Sequence, residues 1–297
     1  MINRAADKRG VAMTSNLQDE VEFSRWAQRL VGELTPIRER FTPFPLYFQT
    51  QIFNFVVMRR LLREYFPFDR PHESVLEIGC GVGAHSLLLS RFATRLLGVD
   101  IPGEYAGYLP PNFKSSVEVS RALVNEMYGI TNATFDDAFP NRLPCEADSV
   151  DLIFSWTILE HIPNLRESYA EMLRVLKPGG VMIHVAPVTM SAIATIASVN
   201  VEEAKKRAMA PAALGWLGAA RMLWSNYGDL ARGRPDTRRA GMVIPHCHSE
   251  FLTDYQDQLT LYTSWNYIHP MIDLGFVFED QKVVNDFNFA IVARKPG

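Results

Sequence analysis

From Ser74 to Pro187, short apolar runs alternate with stretches whose apolar positions recur every three or four residues. Runs of the first kind read as strands buried on both faces, and the second as helices packed over them. Val75, Leu76 and Ile78 open the series, followed by the strand candidates Arg95–Asp100, Ala133–Phe135, Ser149–Trp156 and Val181–Val185. Between them, Ala84, Leu87, Leu88 and Leu89, then Ser116–Tyr128, then Asn164–Leu176 carry helical spacing. The last of these stops at Lys177-Pro178-Gly179-Gly180, where proline cannot continue a helix and glycine supplies the reversal. Strand–helix alternation of this kind predicts a doubly wound α/β fold with a parallel sheet, its ligand at the carboxyl ends of the strands. Phe276–Val284 and Phe287–Ala293 stand close enough to form an antiparallel hairpin that completes the sheet.

The pattern changes on either side of this core. Residues 1–16 are polar, lack the apolar centre of a signal peptide, and read as a flexible tail. Residues 17–70 read as an N-terminal helical cap, with one helix at Leu17–Leu34 and a more apolar one at Leu46–Phe66. Tyr47 and Phe48, at the start of the second helix, read as core, with ligand contact by either as the second reading. Residues 71–187 form the ligand-binding core, 188–248 a helical insert, and 249–297 the completion of the sheet. Ala208–Ser225 within the insert has Arg221 as its one charge, yet Pro211, Gly215 and Gly218 break it, so no transmembrane segment is expected. The insert reads as a lid. Its Thr189–Arg239 stretch carries eight basic residues against four acidic ones, so peripheral contact with a membrane or an anionic acceptor is the second reading.

The candidate chemistry gathers at the end of the first strand. Gly79, Gly81 and Gly83 recur at spacing two between strand and helix, where a sharp turn and a ligand against bare backbone both exclude a Cβ. Glu77 stands just before them; a phosphate would be repelled by that carboxylate, whereas a cationic or amine-bearing ligand would be held. Asp100, at the tip of the second strand, fits the acid that accepts from both ribose hydroxyls of a nucleoside. With 297 residues and a formal net charge of −3, the chain offers no general case for nucleic-acid binding. Three cysteines cannot frame a small disulfide fold, and a reducing, cytoplasmic setting follows.

Taken in order, the ExGxGxG stretch (Glu77–Gly83), the GVD strand end (Gly98–Asp100), FDDA, DLIFSWTILEHI and LRVLKPGG resemble a class I S-adenosylmethionine-dependent methyltransferase of the type 11-like kind. The resemblance covers Ser74–Pro187 and, more loosely, Gly275–Lys295. It implies a Rossmann-like sheet of seven strands in the order 3-2-1-4-5-7-6 and S-adenosylmethionine as cofactor. By the same resemblance Gly79, Cys80, Gly81 and Gly83 line the methionine and ribose portion, and Glu77 holds the amino end. Asp100 would bind the ribose and Ile101 would pack on adenine. Asp137, followed by Ala138, would accept from the adenine amino group, with Asp136 as the neighbouring alternative. Ser155 and Trp156 would lie near the sulfonium. The implied acceptor is a small molecule, a sugar or a lipid-linked compound, methylated at oxygen.

Such an acceptor needs a base, and histidine titrates in the right range. His161 follows the fourth strand on the acceptor side. His246 and His248 alternate along an extended segment and are substrate-side candidates; with no third ligand in view, no metal site is expected. His184, in the fifth strand, reads as core. Two rival functions stay open at this point. Gly79-x-Gly81-x-x-Ala84 also fits a looser dinucleotide pattern, hence an NAD(P)-dependent oxidoreductase, and a catalytically inactive cofactor-binding regulator would need the same loop. Nothing in the sequence speaks to the oligomeric state.

Overall fold

A computed structural model describes residues 6–42, 46–102, 109–110, 112–162, 165–187, 242–245, 258–261, 264–285 and 288–297. The strands are β1 (His72–Ile78), β2 (Ala93–Asp100), β3 (Ala133–Asp137), β4 (Val150–Trp156), β5 (Leu176–Pro187), β6 (Met242–Pro245), β7 (Gln258–Leu261), β8 (Val277–Val283) and β9 (Asn288–Arg294). Seven of them form one sheet in the order β3-β2-β1-β4-β5-β9-β8, the arrangement expected once β8 and β9 are counted as the sixth and seventh strands. β1 to β5 run parallel, and β9 pairs antiparallel with both β5 and β8.

The register sends alternate residues into two apolar layers. Val75, Leu152, Phe154, Trp156, Val181 and Ile183 enter one; Leu76, Ile78, Ile153, Met182 and Ile291 enter the other. The first layer is covered by α1 (Ala6–Leu34), α2 (Tyr47–Leu61), α3 (Ala84–Leu89) and α4 (Ser116–Ser120). The second is covered by α5 (Leu165–Val175) and α6 (Ser264–Asp273). Leu30, Leu34, Ile52, Phe55 and Leu62 are wholly buried, so the two N-terminal helices are part of the main core. Arg59 fastens them. Its guanidinium is buried, pairs with Glu20 of α1, donates to the Phe66 carbonyl at 3.1 Å and stands 4.2 Å from the centre of the Phe68 ring.

Three boundaries depart from the sequence pattern. α1 starts at Ala6 rather than Leu17, so residues 6–16 are helical and not a tail; alanine, lysine, arginine and methionine favour helix, and no proline intervenes before Pro36. The helix expected at Ser116–Tyr128 is α-helical only to Ser120, and Arg121–Met127 has the wider i→i+5 winding. Its start is fixed by a capping box: Ser115 accepts from the Glu118 amide at 3.3 Å, and Glu118 accepts from the Lys114 amide at 2.7 Å. Finally, β6 falls within residues 188–248, which read as a helical insert, and pairs antiparallel with β7, Met242 opposite Leu261. Pairing between segments so far apart leaves no local periodic signal. Among the described residues, no helix is long and apolar enough to cross a membrane.

Candidate functional site

The glycine loop leaves β1 on backbone bonds to the neighbouring strand, the amides of Gly79 and Cys80 donating to the Val99 carbonyl at 2.7 and 3.0 Å. Gly79, Gly81 and Gly83 all have positive φ (75°, 53° and 84°), which a side chain would oppose. Space excludes a side chain at two of them as well. A Cβ on Gly79 would lie 2.2 Å from Cδ1 of Ile158, and one on Gly83 would lie 2.9 Å from Cγ2 of Val124. The loop is thus pressed between the turn after β4 and the wide-wound helical segment, and Ser120 ties the two by donating to the Gly81 carbonyl at 2.8 Å.

Asp100 is built into the loop. One carboxylate oxygen accepts from the Gly81 amide and the other from the Ile101 amide, both at 2.8 Å. Strand pairing places Asp137 beside Asp100, and the Ala138 amide donates to the Asp100 carbonyl at 2.7 Å. Asp137 is exposed, and its pKa is raised by partial burial and by the adjacent Asp136. The carboxyl ends of β2 and β3 therefore bring together Asp100, Ile101, Asp137 and Ala138.

Glu77 is only 1% exposed. It points into the first layer, accepts from the Ser86 hydroxyl, and has His85 Nδ1 at 4.0 Å. Phe55, Phe154 and Trp156 surround that imidazole, with the Trp156 ring centre 5.1 Å away. Burial pushes the Glu77 carboxyl up to about 8, with Asp100 adding to the rise against the Ser86 hydrogen bond. Burial pushes His85 down to about 3, so the imidazole is neutral and supplies no counter-charge. A buried acid beside bare backbone, with a second acid anchored by loop amides, suits a ligand that carries positive charge and ribose hydroxyls. It does not suit a pyrophosphate, which meets anionic groups here.

Ser155 and Trp156 part company. Trp156 faces the layer of Glu77 and His85, while Ser155 is wholly buried on the other face, with its hydroxyl 2.5 Å from Nδ1 of His184. His184 is therefore a buried neutral ring held by Ser155, its pKa pushed down to about 3. Beyond Trp156 the chain turns sharply. Thr157 has φ 51°, an uncommon value for a β-branched residue, and its amide donates to the Val185 carbonyl at 2.7 Å. That turn brings Ile158 over Gly79 and leads into Leu159–His161. His161 is half-buried there, and β7 runs alongside. His246 and His248 lie outside the described residues.

Two residues of the site, Glu160 and His85, carried no signal in the pattern, and Tyr47 read as core ahead of ligand contact. Glu160 is 2% exposed, its pKa raised to about 8 by burial, and Oε2 has no hydrogen-bond partner among the described residues. His85 sits on a helix face that reads as ordinary amphipathic spacing. Tyr47 belongs with the core by its pattern, and only Phe48 does so fully; the Tyr47 hydroxyl stands over the loop, 3.3 Å from a Cβ built on Gly81.

Comparison with known proteins agrees with this geometry. The methyltransferase domain model matches residues 48–231. An uncharacterized methyltransferase of Bacillus subtilis, YcgJ, is 31% identical over 121 residues, 40% of this chain and 43% of that protein. The malonyl-[acyl-carrier protein] O-methyltransferase of Methylovorus is 31% identical over 129 residues, 43% of this chain and 41% of the relative. The matched segment thus spans less than half the length of these curated relatives. Among solved structures, the PH0226 protein of Pyrococcus horikoshii superposes with a TM-score of 0.53 at 18% identity, over 85% of this chain and 96% of that one, which is a likeness of fold. The sheet order, the glycine cradle and the paired acids fit S-adenosylmethionine as cofactor, and the chain belongs to the methyltransferase domain family.

Proposed function

We propose that this chain is an S-adenosylmethionine-dependent methyltransferase acting on a small-molecule, sugar or lipid-linked acceptor, with oxygen as the receiving atom. The observation that carries the reading is Glu77, an acid sunk at the mouth of a glycine cradle and held near neutrality until a cationic group arrives. On this reading Glu77 takes the amino end of the cofactor, Asp100 the ribose, Ile101 one face of adenine, and Asp137 or Asp136 the exocyclic amine. The bound cofactor supplies a methyl group already activated on a sulfonium. The chain's own contribution is alignment and exclusion of water. Ile158 and Trp156 provide apolar walls to that end, and the cap helices cover the same side of the sheet.

An alcohol acceptor must also lose a proton. His161 is the base we assign, with the buried Glu160 carboxyl as its neighbour in the same turn. His246 and His248 are further candidates from the sequence. Relatives bear the names malonyl-[acyl-carrier protein] O-methyltransferase, ubiquinone biosynthesis O-methyltransferase (Actinobacillus pleuropneumoniae) and sterol 4-C-methyltransferase (Caenorhabditis elegans), so the names span oxygen and carbon acceptors. What supports the oxygen reading is His161, half-buried in the turn that brings Ile158 over Gly79.

The test is transfer of labelled methyl from S-adenosylmethionine into a fractionated cell extract, with the product identified by mass spectrometry. An O-methyl product is expected. Label on nitrogen or carbon would overturn the oxygen assignment. Tight cofactor binding with no acceptor labelled in any fraction would favour the inactive regulator instead.

A further inference from the structure

We propose that Ser86 is a positioning residue for the cofactor: its hydroxyl holds one oxygen of Glu77 and leaves the other for the ammonium at the amino-acid end of S-adenosylmethionine. The proposal rests on that cofactor occupying the glycine loop with its amino end at Glu77. Ser86 lies in α3, the short helix that follows the loop, and every residue of that helix is buried. A serine inside a helix can return its proton to the preceding turn, but here the hydroxyl donates across to Oε2 of Glu77 on β1. Ser86 is wholly buried and Glu77 is almost so, which shields the bond from water. Glu77 Oε1 makes no hydrogen bond among the described residues. Its neighbour, Nδ1 of His85, stands 4.0 Å away, and the His85 ring is tied to the Gln51 backbone of α2.

The pairing makes poor sense as structure alone. A buried carboxyl held by a neutral hydroxyl gains a hydrogen bond and no counter-charge, and apolar side chains would fill the same space without that cost. The surrounding groups do not supply the missing charge. His85 is neutral, pushed down to about 3 by burial. Asp100 of β2 drives the Glu77 carboxyl further up, and Cys80 of the loop and Tyr47 of α2 are acids that a charged Glu77 suppresses in turn. Among these influences only the Ser86 hydrogen bond favours the ionised carboxylate. Ser86 therefore acts twice on the cofactor through Glu77. It fixes a flexible side chain before the ligand arrives, and it stabilises the charge that an ammonium requires.

Calorimetric titration of the full chain and of Ser86→Ala tests this with two ligands: S-adenosylhomocysteine, which carries the ammonium, and methylthioadenosine, which keeps the nucleoside and thioether but lacks the amino-acid end. Alanine favours helix and is smaller than serine, so α3 is retained, with thermal unfolding of the ligand-free proteins as the control. At pH 7 the substitution should weaken S-adenosylhomocysteine by about tenfold and leave methylthioadenosine within about twofold. Affinity for S-adenosylhomocysteine should rise with pH in both proteins as Glu77 ionises, and flatten at lower pH in the wild type, whose carboxyl titrates lower. In a Glu77→Gln background, Ser86→Ala should cost less than about twofold further, because the carboxylate it acts through is gone. Equal weakening of both ligands, an undiminished loss in the Glu77→Gln background, or no weakening of either ligand would overturn the proposal. A wild-type chain that binds methylthioadenosine as tightly as S-adenosylhomocysteine would instead overturn the placement of the ammonium at Glu77. One that binds neither would overturn the cofactor assignment itself.

Discussion

Glu77 gives the sharpest test of the physical reading, through Glu77→Gln. Its carboxyl is raised from an ordinary 4.5 to about 8 in the folded chain, with burial as the main cause. An acid with a higher pKa folded than unfolded holds its proton more tightly in the native state. Its effect on stability is therefore absent below pH 4.5, grows as pH rises, and levels off above about 8. Each pKa unit corresponds to about 1.4 kcal/mol, so the buried charge costs the apo protein on the order of 5 kcal/mol at the upper end. Glutamine keeps an acceptor for Ser86 and cannot ionise. The difference in unfolding free energy between variant and wild type, measured by urea denaturation from pH 5 to pH 8.5, should rise steadily in favour of the variant. Cofactor affinity should move the other way, since the amide offers an ammonium no charge. Wild-type binding of S-adenosylhomocysteine at pH 7 should release roughly one proton as Glu77 gains its partner, read from calorimetry in buffers of different ionisation enthalpy. Parallel stability curves for the two proteins, or binding without proton release, would refute the reasoning.

Other outcomes follow from the same structure. Gly79→Ala meets both a positive φ of 75° and Ile158 at 2.2 Å, so it should destabilise the chain by about 2–4 kcal/mol in urea denaturation and abolish cofactor binding. Gly179→Ala, at φ 77° but with nothing within 4 Å, should cost only about 1 kcal/mol and leave binding intact. Arg59→Ala removes the Glu20 pair, the bond to the Phe66 carbonyl and the stacking on Phe68; a loss of about 3–5 kcal/mol is expected, together with faster proteolysis within α1. Asp100→Asn surrenders a charged acceptor for the Gly81 or Ile101 amide and should weaken S-adenosylhomocysteine by about tenfold or more in calorimetry.

The strand–helix alternation, the strand–glycine–helix unit and the acids at the ends of β1 and β2 were legible in the residues alone, whereas the order of the seven strands and the acid at the end of β3 were implied by the family resemblance. Each of the features legible in the residues is a local matter: buried strands write themselves as unbroken apolar runs, and a turn that forbids a Cβ writes itself as glycine. The residues that only the tertiary structure assigned share a different character. Tyr47 and Phe48 are adjacent aromatics in one apolar helix, and nothing in their spacing says that one enters the core while the other reaches Gly81. Ser155 and Trp156 both end β4, yet strand alternation sends one to His184 and the other toward His85. The pKa of Glu77 depends on Phe55, Phe154 and Trp156 drying the space around His85, a crowd drawn from two separate elements, α2 and β4. Sequence determined which groups stand at the edge of the sheet, because propensity and periodicity act over neighbours. Packing decided which of them meet and in what charge state, because burial and electrostatics act through space between segments that are far apart in the chain.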